Sequence, residues 1–75
     1  MKFENQTILI TGGAQGIGFA LSKKFSVMGA NVVIADIYKD TPNIAKNFGG
    51  FGYICDVTRE EELNNFITFA EDRLG

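Results

Sequence analysis

The apolar positions along the chain come in two alternating patterns. In the first, neighbouring residues are apolar together: Thr7-Ile8-Leu9-Ile10, Asn31-Val32-Val33-Ile34-Ala35 and Phe51-Gly52-Tyr53-Ile54-Cys55. Of these runs, the first reads as a fully buried strand that ends at a glycine-rich turn, the second as an apolar strand ending in Asp36, and the third as a strand weakened in its interior by Gly52. In the second, apolar residues recur at steps of three and four. Ile17, Ala20, Leu21, Phe25 and Met28 predict a helix from Gly16 to about Met28, with Ser22, Lys23 and Ser26 on its outward side and Gly29 as its cap. Ile44, Ala45 and Phe48 predict a short helix that starts at Asp40-Thr41-Pro42, where a proline forfeits no hydrogen bond, and stops at Gly49-Gly50. Leu63, Phe66, Ile67, Ala70 and Leu74 predict a final helix, opened by a capping box between Thr58 and Glu61.

Strand and helix therefore alternate three times, the order of a parallel sheet whose neighbouring strands are joined by right-handed helical crossovers. The expected class is α/β, a parallel sheet with flanking helices. A helix with a clear apolar stripe ordinarily returns to another strand, so residues 1–75 read as an incomplete domain of about three strands and three helices. In a dinucleotide-binding sheet the next strand lies beside the first, which predicts an exposed edge there.

Composition narrows the class of partner. A net charge of −2 and a pI near 4.9 provide no basic footprint, which argues against nucleic acid or an anionic membrane as partner. The start of the chain is too polar for a signal peptide and no apolar run approaches ~20 residues, so a cytoplasmic protein is expected. With one cysteine and no histidine, neither an internal disulfide nor a Cys/His metal cluster can be built, and Cys55 reads as a small buried strand residue. A chain of this size buries only about 60% of the surface its unfolded form exposes, so its stability is marginal.

The chemistry is concentrated where strands end. Gly12, Gly13, Gln15, Gly16, Ile17 and Gly18 lie in Thr11-Gly12-Gly13-Ala14-Gln15-Gly16-Ile17-Gly18, at the junction of the first strand and the first helix. Glycines there let the backbone approach a pyrophosphate, while the helix N-terminus offers free N–H groups and the positive end of its dipole. The spacing is G-x-x-x-G-x-G rather than G-x-G-x-x-G. Asp36 ends the second strand, eighteen residues after Gly18, where a carboxylate can accept the ribose 2′- and 3′-hydroxyls of NAD and repel the 2′-phosphate of NADP. Neither Gln15 nor Ile37 is a cation for that phosphate, although Lys39 keeps NADP as the less favoured alternative. A solvated turn acid is the other reading of Asp36. Asp56, ending the third strand, is either an acceptor for an adenine amino group, with the Val57 backbone beside the ring, or a turn aspartate before Thr58.

Thr11-Gly12-Gly13-Ala14-Gln15-Gly16-Ile17-Gly18 resembles the Thr-Gly-x-x-x-Gly-x-Gly cofactor loop of short-chain dehydrogenases/reductases, and Cys55-Asp56-Val57-Thr58 resembles that family's Asp-Val adenine site. Asp36 matches the acidic residue of its NAD-preferring members. The resemblance extends from the first strand to the third helix. It implies a Rossmann-type fold, a dinucleotide cofactor, hydride transfer between nicotinamide and an alcohol or carbonyl in the full-length protein, and a homo-oligomeric parent. The family's Asn-Asn-Ala-Gly segment, catalytic serine and Tyr-x-x-x-Lys pair have no counterpart here: Tyr38 is followed directly by Lys39, Val57 stands four residues after Tyr53, and Ser22 and Ser26 are expected on the helix surface. No catalytic residue is therefore assigned, and the 75-residue chain alone is expected to be inactive.

Two other classes stand beside this one. A stand-alone nucleotide-binding or regulatory module would use the same loop without catalysis and would need a partner for its open sheet edge. A methyltransferase using S-adenosylmethionine also places a glycine loop after its first strand, but the opening threonine and the Asp56-Val57 pair disfavour it. A P-loop NTPase is excluded because Gly16-Ile17-Gly18-Phe19 lacks Gly-Lys-Ser/Thr.

Overall fold

The computed structural model describes residues 2–74. Met1, Gly75 and the side chain of Leu74 lie outside the described residues, and with them the apolar contact expected of Leu74. The elements run β1 (Thr7–Thr11), α1 (Gly16–Val27), β2 (Asn31–Asp36), α2 (Thr41–Lys46), β3 (Phe51–Ile54) and α3 (Glu60–Leu74). The strands form one parallel sheet in the order β1-β2-β3. The register pairs Thr11 with Ala35 and Asp36 with Ile54, so all three strands end on one rim.

Alternation along β2 divides the core. Val32 and Ile34 point into a cluster with Ala14, Ala30 and Ala45, closed by Phe25 of α1 and Ile44 of α2. Val33 and Ala35 point the other way, onto Phe66 and Ala70 of α3 and onto Cys55. Val33, Ile34 and Ala35 are fully buried, as a strand covered on both faces requires. Burial of each large side chain here is worth roughly 1.5–3 kcal/mol, and the branched and aromatic residues of β2 and α3 carry most of it. Tyr53 reinforces the α3 side by stacking on Phe66 at 6.2 Å and meeting Phe69 at 4.9 Å. On the opposite side the N-terminal segment folds back, with the Phe3 ring edge-on to Phe25 at 5.3 Å.

The packed face of α1 differs from the one its apolar spacing suggests. Ile17 is 82% exposed and Leu21 46%, whereas Ser22, expected to face outward, is fully buried. Its hydroxyl donates to the Gly18 carbonyl at 2.7 Å. Ser26, also expected outside, is half-buried and donates to the Phe48 carbonyl at 2.6 Å, joining α1 to the segment before β3. The cause is steric. Gly18, Ser22 and Ser26 form an i, i+4, i+8 row of small residues, which lets α1 lie closer to the sheet and the loop than a row of large side chains permits, and a hydroxyl bonded to a carbonyl can be buried at little cost.

The start of α3 is a second correction. The helix begins at Glu60, so Thr58 sits in the preceding turn and makes no hydrogen bond to Glu61 among the described residues. Asp56 is the hub instead, accepting the Thr58 hydroxyl at 2.6 Å and the Thr58 N–H at 3.0 Å on Oδ1. Glu62 of the first turn reaches back to accept the Asp56 N–H at 2.8 Å and pairs with Arg59 at 3.3 Å. Glu60 and Glu61 are exposed.

With β1 at the end of the sheet, its outer edge carries no strand among the described residues, and the strand is not the fully buried one expected: none of its five residues is buried and Leu9 is 41% exposed, because nothing covers that edge among the described residues.

Candidate functional site

The shared rim brings the three strand-end motifs together. A cavity of about 260 Å³, open to solvent, is lined by Gly12 after β1, by Ala35, Asp36 and Ile37 at the end of β2, and by Cys55, Asp56, Val57 and Thr58 after β3. Five of the ten residues singled out in the sequence thus line one cavity: Gly12, Asp36, Ile37, Asp56 and Val57. The other five, Gly13, Gln15, Gly16, Ile17 and Gly18, continue the loop from its edge into the first turn of α1.

The loop is held from below. Gly12 and Gly13 both donate their N–H groups to the Ala35 carbonyl, at 2.7 and 3.3 Å, and Ala14 donates to Asp36 Oδ2 at 3.1 Å. Gly12 and Gly16 adopt φ of +68° and +52°, a left-handed backbone that favours glycine. At Gly18 the constraint is proximity, since a Cβ there would stand 2.0 Å from the Gly12 carbonyl oxygen. After Ala14 the pattern changes. The N–H groups of Gln15, Gly16, Ile17 and Gly18 have no acceptor among the described residues, Gln15 caps nothing with its side chain, and no acidic residue stands in the first turn. This leaves a cluster of free donors at the positive end of a helix dipole, the arrangement that holds phosphate groups.

The two carboxylates differ. Asp36 is half-buried, accepting the Ala14 N–H on Oδ2 and the Tyr38 N–H at 3.2 Å on Oδ1, and each oxygen keeps lone-pair capacity for one more donor. Asp56 performs the turn role through Oδ1, while Oδ2 makes no hydrogen bond among the described residues. Its pKa is lowered, chiefly by the Thr58 hydroxyl and then by the Thr58 N–H, so it is ionised at neutral pH. Burial pushes the Cys55 thiol up, with the charges of Glu62 and Asp56 adding to the effect. Ile17, in the first turn of α1, and Ile37, after β2, are both strongly exposed, at 82% and 73%.

Sequence reasoning passed over Ala14, whose N–H ties the loop to Asp36, and Glu62, which sets the turn carrying Asp56. Neither has a side-chain signature of its own. Ala35 and Thr58, which also line the cavity, follow from position alone, being adjacent to strand ends already singled out.

Residues 6–75 match the family model of the short chain dehydrogenases. The chain belongs to this family. Its curated relatives include a mitochondrial borneol dehydrogenase of Lavandula x intermedia, 40% identical over 99% of this chain and 29% of its own length. A 7alpha-hydroxysteroid dehydrogenase of Escherichia coli is 35% identical over the whole of this chain and 32% of its own length. Among solved structures, a 3-ketoacyl-(acyl-carrier-protein) reductase from Brucella melitensis complexed with NADH superposes with a TM-score of 0.92 at 29% identity, covering 96% of this chain and 31% of that one. The chain therefore spans about 30% of the length of the relatives it matches. Its fold is the Rossmann-type sheet of these dehydrogenases, and the chain corresponds to a nucleotide-binding region of oxidoreductase type.

Proposed function

We propose that this chain binds NAD, in preference to NADP, across the C-terminal rim of its sheet, as the cofactor-binding part of a cytoplasmic, homo-oligomeric oxidoreductase acting between an alcohol and a carbonyl. The observation that carries this reading is the run of free N–H groups from Gln15 to Gly18 directly beside the Asp36 carboxylate. The donors suit a pyrophosphate, and the carboxylate suits two ribose hydroxyls. When bound, a nicotinamide dinucleotide supplies the hydride donor or acceptor. The chain's own residues bind and orient it. Gly12, Gly13, Gly16 and Gly18 would keep side chains away from the pyrophosphate, and the backbone N–H groups at Gln15 and Ile17 would donate to it. Asp36 would accept from the adenosine ribose, and Ile37, Asp56 Oδ2 and the Val57 backbone would hold the adenine.

An added 2′-phosphate would meet the Asp36 carboxylate, and the nearest cation in sequence, Lys39, is three residues on. The NADH of the Brucella reductase supports the same assignment at the level of a nicotinamide dinucleotide. Lacking a Tyr-x-x-x-Lys pair, the 75-residue chain is expected to turn over no substrate by itself.

The test is an NMR titration of the ¹⁵N-labelled chain with NAD. Amide shifts concentrated at Gly12–Gly18, Asp36–Ile37 and Asp56–Val57 are expected. Saturable shifts elsewhere, with this rim silent, would place the binding site somewhere else and end the proposal.

A further inference from the structure

We infer that Asp36 is a positioning residue for the phosphate-binding loop, in addition to any contact it makes with a ribose. This rests on the dinucleotide reading above. Three successive loop N–H groups are held by two adjacent residues of β2: those of Gly12 and Gly13 by the Ala35 carbonyl, and that of Ala14 by Asp36 Oδ2. The next four, from Gln15 to Gly18, are the free donors. Asp36 is thus the last clamp before the stretch that must face the phosphates, and the only one of the three contacts made by a side chain. Its other oxygen is oriented by the Tyr38 N–H, so the carboxylate plane is fixed from its own strand end while it holds a loop 22 residues away. Deleting the carboxylate leaves the Ala14 N–H without its acceptor and frees the loop where its direction is set.

The consequence differs from that of a residue that only selects the ribose. Asp36 governs affinity for phosphate ligands that offer it no hydroxyl, and replacing it with a small apolar residue removes from NADP as well as from NAD the part of the affinity that the ordered loop supplies, on top of the lost discrimination between them. An acceptor oxygen at this position is enough for the clamp, whereas the negative charge is needed only to discriminate between the two cofactors.

The experiment compares the wild-type chain with Asp36→Ala and Asp36→Asn. Two readouts are taken: exchange of the Ala14 amide proton without ligand, and affinity for 2′,3′-dideoxy-ADP, which has no ribose hydroxyl for Asp36. In Asp36→Ala, Ala14 exchange is expected to rise about tenfold or more while the Val33 and Ile34 amides keep their protection. Dideoxy-ADP is expected to weaken roughly tenfold, the lower end of the loss of one charge-assisted hydrogen bond. Asp36→Asn, which can still offer Oδ1 to Ala14, restores most of both and narrows the gap between NAD and NADP; it also serves if the alanine variant fails to fold. Wild-type values for Ala14 exchange or dideoxy-ADP affinity in Asp36→Ala would overturn the inference. A wild-type chain that binds neither NAD nor dideoxy-ADP would instead sink the dinucleotide reading, and the exchange data would still decide whether the clamp exists.

Discussion

Replacing Gly18 with alanine tests the loop through a single methyl group. Built on the present backbone, that methyl stands 2.0 Å from the Gly12 carbonyl oxygen, 2.8 Å from its carbon and 3.2 Å from the Gly13 Cα. Side-chain carbons essentially never approach closer than 3.0 Å, so the loop and the first turn of α1 must separate by about 1 Å. Both partners are backbone, and the Gly12 N–H is fixed to Ala35 at 2.7 Å, so no flexible side chain can absorb the shift. Overpacking of this kind costs roughly 1–3 kcal/mol, and alanine's better helix preference returns at most about 1 kcal/mol. A net loss of about 1–2 kcal/mol lowers Tm by roughly 4–16 °C in a domain of this size. Binding suffers separately, because the displaced turn carries the free N–H groups. Losing one charge-assisted hydrogen bond of about 1.5–3 kcal/mol weakens NAD roughly 10- to 150-fold. Thermal melting and calorimetric titration of the Gly18→Ala chain measure both effects. Wild-type melting together with wild-type affinity would show that the close contact does not constrain the loop and would refute the reasoning.

Three further outcomes follow from other parts of the structure. Phe66→Ala empties the centre of the α3-side core, where the ring is 1% exposed, and at about 3–5 kcal/mol is expected to leave the chain largely unfolded by circular dichroism at 25 °C. Asp56 has a lowered pKa in the folded state, so its contribution to stability is complete above the usual aspartate range and is lost as pH falls through the lowered value. Removing the main cause with Thr58→Val should move the carboxyl titration, followed by ¹³C NMR, back up toward the ordinary range. Cys55 is 4% exposed and its thiol is pushed up by burial, so an aromatic disulfide reagent at pH 7 should label it far more slowly in the native chain than in denaturant, and equal rates would contradict the burial.

The sheet was legible in the sequence because each strand carries a compact apolar run, although only β2 is buried on both faces and the flanking strands leave Leu9, Phe51 and Ile54 exposed. Runs such as Val32-Val33-Ile34-Ala35 admit few other readings when helical spacing flanks them, and the observed bounds differ from the expected ones by one residue or so. Gly52, read as a weakness in β3, has a positive use: a Cβ there would stand 2.5 Å from the Thr41 carbonyl oxygen, so glycine lets the start of α2 lie directly on the strand. The outward side of α1 was misjudged because apolar spacing tracks hydrophobicity, while this interface is governed by closeness of approach. Ser22 and Ser26 belong inside because they are small and each has a carbonyl to bond, and that depends on where the Gly18 and Phe48 carbonyls come to rest.

In the site, the strand-end positions of Gly12, Asp36 and Asp56 could be read directly, since a parallel sheet delivers them to one rim whatever the details of packing. What joins them could not. The bond from Ala14 to Asp36 uses a backbone donor, which every non-proline residue possesses, and the bond from Asp56 to Glu62 depends on α3 starting at Glu60 rather than at Thr58. A glutamate three places later in a first turn carries the same sequence signal whether it is solvated or reaches back to a turn.

The central claim is that the Gln15–Gly18 donors and the Asp36 carboxylate together form a site for NAD. Titrating the wild-type chain calorimetrically with NAD and with NADP under identical conditions tests it most directly. The account predicts saturable binding of NAD, with NADP weaker by roughly tenfold or more, corresponding to about 1.4 kcal/mol for a phosphate brought against a carboxylate that also loses a hydroxyl donor. Equal affinity, tighter binding of NADP, or no heat with either cofactor would contradict it.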